Sequence, residues 1–148
     1  MSPAVVITGA ASGIGRATAL AAARAGYDLI AWDIQGDLLG ELAAQVEVAI
    51  TTDSFDVTDG EARRRALEAA RLDHPVIAGF VHAAGVSGPE PISTFTPESW
   101  GRTIDINLTT AAAMTHELAE DLAASGRGSI VYISSVEGWF GHEWLPAY

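Results

Sequence analysis

The chain contains no cysteine, which excludes disulfides and thiolate metal sites and is compatible with a reducing compartment. It contains no lysine either: all eight basic residues are arginines, set against 19 acidic ones. The formal net charge of −11 argues against nucleic acid as the main partner, because phosphate binding needs clustered positive charge. No apolar run approaches the roughly 18 to 20 residues a membrane-spanning helix needs, and no charged leader with a signal core precedes the first strand pattern. The expectation is a cytoplasmic protein without membrane attachment. Positive charge is concentrated in one run only, Arg63-Arg64-Arg65, which follows Thr58-Asp59-Gly60-Glu61, a capping-box pattern at a helix start. At helical spacing these arginines are expected to fan around the solvated side.

What is present is the patterning of a globular chain. Hydrophobic residues make up 49% of the 148 residues and charged residues 18%, one domain's worth of core or part of one. Short runs rich in Val and Ile alternate with Ala-rich stretches of helical period, the signature of an α/β chain with a parallel sheet. Strands are predicted near residues 4–8, 28–32, 48–55, 76–82 and 128–133. Helices are predicted near 13–25, 36–45, 59–72 and 100–125, with a short one starting at Thr96, where Thr-Pro-Glu supplies an N-cap, a first-turn proline and a carboxylate. Five such strands with helices on both faces make a doubly wound parallel sheet, whose ligand crevice lies at the strands' carboxyl ends. The unusual residues sit there: residues 9–15, Asp33, Asp56, residues 82–85, and Ser134 with Ser135.

After Val5-Val6-Ile7 comes Thr8-Gly9-Ala10-Ala11-Ser12-Gly13-Ile14-Gly15, then a helical stretch. Glycines let the backbone turn sharply and let a phosphate approach the free amides at a helix start. A glycine trio alone is a weak signal; between a strand and a helix it marks Gly9, Ser12, Gly13, Ile14 and Gly15 as candidate binders of a dinucleotide pyrophosphate. The spacing of four then two reverses the common G-x-G-x-x-G order. It resembles the T-G-x-x-x-G-x-G turn of the short-chain dehydrogenase/reductases, a family with a Rossmann fold.

The resemblance extends along the chain and implies further roles. Asp33 ends the second strand, where a carboxylate accepts both adenosine ribose hydroxyls and repels a 2′-phosphate, so NAD is favoured over NADP. Ser12 is neutral where relatives using NADP often carry a basic residue, and Arg16, the only cation nearby in sequence, reads as helix surface. Asp56-Val57 matches the family's Asp-Val pair, which meets the adenine through the carboxylate and the next backbone amide. His82-Ala83-Ala84-Gly85 stands in place of Asn-Asn-Ala-Gly and departs from it at both asparagines. Ala84 and Gly85 still let the nicotinamide ribose lie close to the backbone; His82 reads as structural. Taken singly, Asp33 and Asp56 are also ordinary turn carboxylates.

Hydride transfer to a carbonyl needs a proton donor beside the developing alkoxide and a group that fixes the oxygen. Ser135 follows the fifth strand, and Tyr148 lies thirteen residues further, matching the family's catalytic serine and tyrosine. Asn107 matches the asparagine that interrupts the long helix and holds a water of the proton relay, although an isolated helix asparagine is usually just exposed. The family places a lysine four residues after the tyrosine, where its charge stabilises the phenolate. An unassisted tyrosine of pKa roughly 10 is only about one part in a thousand phenolate at pH 7. Members also continue through another helix, two strands and a lid, so the resemblance implies that residues 1–148 are an incomplete NAD-binding domain carrying most of a catalytic site. The fifth strand is then expected to be an exposed edge and the long helix to lack cover on one face.

Trp139, Phe140, Trp144 and Leu145 lie in the loop that lines the substrate pocket in relatives, and suggest an apolar or aromatic carbonyl or alcohol. Packing against a lid or a neighbouring subunit is an equal reading. No metal is expected: only His142 and Glu143 stand close together there. The complete protein is expected to be a homodimer or homotetramer. The alternative is a non-catalytic dinucleotide-binding or scaffold protein, and a third possibility is a subunit fragment that folds only against a partner.

Overall fold

The computed structural model describes residues 2–148. The elements run β1 (Ala4–Thr8), α1 (Gly13–Arg24), β2 (Asp28–Asp33), α2 (Gly36–Ala43), β3 (Ile50–Ser54), α3 (Gly60–Asp73), β4 (Ile77–His82), α4 (Pro97–Ile104), a π turn (Asp105–Thr109), α5 (Thr110–Ala124) and β5 (Ser129–Tyr132). The five strands form one sheet in the order β3-β2-β1-β4-β5, every pair parallel. This is the expected doubly wound α/β arrangement. Because β1 has β2 on one side and β4 on the other, the chain changes direction across the sheet there, and a crevice opens beyond their carboxyl ends.

Alternation along the strands sends residues to two cores. Val6, Ile30, Trp32 and Phe80 pack against Leu67 of α3 and Met114 and Leu118 of α5. On the opposite face Val5, Ile7, Leu29 and Val81 meet Ala19 of α1 with Leu39 and Leu42 of α2. β1 is buried along its whole length, as a central parallel strand covered on both faces must be.

β3 is shorter than the 48–55 span expected, and Val48 packs on the core from outside the strand. The two helices expected from Thr96 and Trp100 are one uninterrupted helical run from Pro97 to Ala124. Thr96 caps it, its Oγ1 accepting from the Ser99 amide while Ser99 Oγ accepts from the Thr96 amide, so Trp100 lies inside the first helical turns and starts nothing. At α3 the cap is Asp59, one residue later than the capping-box reading, accepting from the amides of Glu61 and Ala62.

Arg63 departs from expectation. Arg64 and Arg65 are exposed and pair along the helix with Glu68 and Glu61. Arg63 is buried, 7% exposed, on the same face as Ala66, Leu67 and Ala70. Three consecutive helical residues sweep about 200° around the axis, so they cannot all share one solvated side.

β5 is one of the two sheet edges, and all four of its residues are exposed. The neighbouring side chains of Ile130, Val131, Tyr132 and Ile133 lie open to solvent, as expected for an edge without cover.

Candidate active site

The glycine turn is shaped by contacts that admit no side chain. Gly9 has a φ of +68°, and a Cβ there would lie 2.7 Å from the Ala84 nitrogen and 2.8 Å from the Ala83 carbonyl group. A Cβ on Gly15 would lie 2.0 Å from the Gly9 carbonyl oxygen, so the first turn of α1 rests directly on the turn backbone. Ser12 precedes α1 with extended backbone and no capping hydrogen bond from its side chain, and with Gly13 and Ile14 it lines the crevice. Ile14 is exposed on the same rim.

Two cavities share the wall formed by Ile14 and residues 83–86. The first, of about 300 Å³, is lined by Gly9, Ser12, Gly13, Asp33, Asp56 and Val57 among others. Asp33 is buried there with both oxygens engaged: Oδ2 accepts from the Ala11 amide and Oδ1 from the Gln35 amide, each at 3.0 Å. The carboxylate therefore ties the glycine turn to the end of β2. Asp56 Oδ1 accepts from the Thr58 amide at 2.9 Å and from the Thr58 hydroxyl at 2.8 Å. These bonds hold its carboxyl below the usual carboxylate range, with Arg102 adding to the effect and slight burial opposing it.

Arg102 is a residue the sequence reading missed. It lines this cavity although it lies far along the chain on α4, whereas Arg16 points away and donates to Gln45 on the exposed surface. Nothing local marks Arg102, because only the packing of α4 brings it beside Asp56.

The second cavity, of about 610 Å³, gathers Asn107, Ser135 and Tyr148 with His82, Ala84 and Gly85. Asn107 sits in the π turn, where an extra residue widens the helix. Its amide is spent on one neighbour: Oδ1 accepts from the Val86 N–H at 2.9 Å and Nδ2 donates to the Val86 carbonyl at 2.8 Å. The side chain thus pins the shared wall to the helix. Ser135 Oγ accepts from the Glu137 amide at 3.3 Å and starts a short 3-10 turn, Val136–Gly138. Tyr148 is 42% exposed. Trp139, Phe140, Trp144 and Leu145 do not line the cavity; the three aromatics are exposed, Trp139 at 88%.

His82 ends β4 and is buried beneath the site. Its Nε2 lies 2.9 Å from the Ile106 carbonyl, which can only accept, so Nε2 carries the proton. Nδ1 then accepts from the Thr8 hydroxyl at 2.9 Å, and Thr8 Oγ1 accepts in turn from the Ala84 amide at 3.3 Å. This chain of bonds joins β1, β4 and the π turn, the structural task expected of His82. Burial pushes the imidazole down from its ordinary value, with the bond to Ile106 opposing in part.

Sheet order and flanking helices together define a Rossmann-type α/β fold. The short chain dehydrogenase family profile matches residues 3–148, and the chain belongs to that family. It is 40% identical over 135 residues to 2-keto-3-deoxy-L-fuconate dehydrogenase of Xanthomonas campestris pv. campestris, covering 88% of this chain and 42% of that protein. A crystal structure of a 3-ketoacyl-ACP reductase from Sinorhizobium meliloti 1021 superposes with a TM-score of 0.93 at 33% identity, covering 99% of this chain and 60% of the other. Carveol dehydrogenase from Mycobacterium avium, solved in complex with NAD, gives a TM-score of 0.89 at 29% identity, covering 98% of this chain and 58% of the other. The chain spans about half the length of the curated relatives it matches. No helix among the described residues is long and apolar enough to cross a membrane.

Proposed function

We propose that the chain forms the NAD-binding part, and supplies most of the catalytic groups, of a cytoplasmic oxidoreductase that interconverts a secondary alcohol and a ketone. The observation that carries this is Asp33, an acidic side chain fixed at the end of β2 in the wall of the first cavity. An anion there suits two ribose hydroxyls and opposes a 2′-phosphate. The residues present fit the dinucleotide: Gly9 and Gly15 let the turn pack tightly on its own backbone without side chains, Gly13 leaves open space at the cavity, and the Val57 N–H has no acceptor among the described residues. When bound, the dinucleotide supplies or takes up the hydride. In this reading Gly9, Ser12, Gly13, Ile14 and Gly15 hold the pyrophosphate, Asp56 and Val57 the adenine, and Ala84 and Gly85 the nicotinamide ribose.

At the reacting end Ser135 donates its hydroxyl hydrogen to the substrate oxygen, and Tyr148 passes the proton to or from it. Asn107 keeps the loop wall fixed through Val86, and its backbone in the π turn serves the water of the relay. The exposed aromatics of residues 139–144 favour an apolar partner surface, either substrate or a second subunit of a dimer or tetramer.

Titration with NADH and NADPH, followed by tryptophan fluorescence, tests the reading. NADH is expected to bind at least about tenfold more tightly, and Asp33→Ala to erase the difference. Tighter binding of NADPH by the unsubstituted protein would reject the NAD assignment. The other reading is a dinucleotide-binding protein without turnover. It requires that NADH bind while no ketone or secondary alcohol is converted.

A further inference from the structure

We propose that Arg63, held by Glu117, is the positioning residue for the adenine-binding segment Asp56-Val57. The inference rests on the reading of the first cavity as the adenosine end of a dinucleotide groove. Arg63 lies on α3 with its side chain 8% exposed, and Glu117 lies on α5 at 25%. Its Nη2 and Nε donate to the Glu117 carboxylate at 3.0 and 3.3 Å, while Nη1 donates to the Val57 carbonyl at 2.6 Å.

That carbonyl belongs to the same peptide unit as the Thr58 N–H, which donates to Asp56 Oδ1. Both polar groups of the 57–58 peptide are therefore committed, one to the buried guanidinium and one to the aspartate. The preceding peptide unit is left with the Val57 N–H, which has no acceptor among the described residues. Val57 itself lines the cavity. The arrangement fixes a turn that leaves the Val57 N–H free at the groove, where an aromatic ring nitrogen of adenine can accept it.

Stability does not explain the pair. Removing two charges from water is costly, and an apolar pair of similar volume often serves a helix interface as well or better. A fork that reaches a carbonyl and a carboxylate at once is what arginine offers over lysine.

The test compares the parent protein with the double variant Arg63→Met and Glu117→Leu, which keeps the volume and leaves no unpaired charge. Binding of AMP, of nicotinamide mononucleotide and of NADH is measured with the thermal midpoint. The double variant is expected to melt at or above the parent temperature, to bind AMP and NADH about tenfold more weakly, and to bind nicotinamide mononucleotide unchanged. AMP bound as tightly as by the parent, or an equal loss for AMP and nicotinamide mononucleotide, would overturn the proposal while leaving the cofactor reading in place. Should the double variant fail to fold, Arg63→Lys decides: selective weakening of AMP supports the proposal, and unchanged AMP binding overturns it. A parent protein that binds NADH but not AMP would also overturn it, and one that binds neither rejects the cofactor reading as well.

Discussion

The two ends of the groove are built differently. At the adenosine end the acidic groups of the wall are held in place: Asp33 bonds two amides, Asp56 bonds Thr58 twice, and the Val57 carbonyl takes a guanidinium. At the reacting end Ser135 makes one long contact, Tyr148 stands 42% exposed, and the adjacent strand β5 is open along its length. The first end is preorganised by β1, β2 and β3 and the helices on them; the second is organised only on the side of β4 and the π turn. Binding affinity follows from preorganisation, and proton transfer from placing a few groups within reach of the substrate. On the proposed reading, the contrast puts affinity at one end and chemistry at the other.

The largest effect that would sharpen this division is at Tyr148. Tyr148→Phe is expected to lower turnover in an enzyme assay by about 10³-fold while shifting NADH affinity less than twofold. A comparable loss of affinity would merge the two ends. Next comes Gly9→Ala, in which the new Cβ has no room against Ala83 and Ala84 at a positive φ. Urea unfolding should show a loss of about 3 kcal/mol, with NADH binding abolished.

A smaller effect concerns acid. Burial lowers the pKa of the His82 imidazole in the folded chain, with the bond to Ile106 opposing in part, whereas the unfolded chain takes up its proton near pH 6.5. Below that value the unfolded state binds more protons, so stability is full above about 6.5 and falls as the pH drops. A protonated Nδ1 would also strand the Thr8 hydroxyl hydrogen that it now accepts. Urea midpoints from pH 7.5 to 5 should decline, and His82→Asn should flatten the decline. The smallest effect is at the surface pair Arg64 and Glu68, both more than half exposed. Arg64→Ala is expected to change stability by about 0.5 kcal/mol or less and to leave both ends of the groove intact.

Legibility in the sequence followed the same division by distance along the chain. The glycine turn, Asp33, Asp56-Val57 and the spacing from Ser135 to Tyr148 are local patterns placed at strand ends, and the structure sets them around the two joined cavities. Arg63, Arg102 and the Asn107 contact with Val86 act across elements. Their partners are chosen by helix packing, which no short window of sequence displays. Arg63 could have been found from geometry alone, since three consecutive helical residues cannot all face water. The run from Pro97 to Ala124 looks like two helices in the sequence because the strong cap at Thr96 and the apolar period beginning at Trp100 resemble separate starts.

Amide hydrogen exchange with and without NADH tests the division most directly. Protection is expected in residues 8–15, 33–35, 56–58 and 83–86, with little change across residues 129–148. Protection confined to residues 129–148, or absent from 8–15 and 56–58, would contradict it.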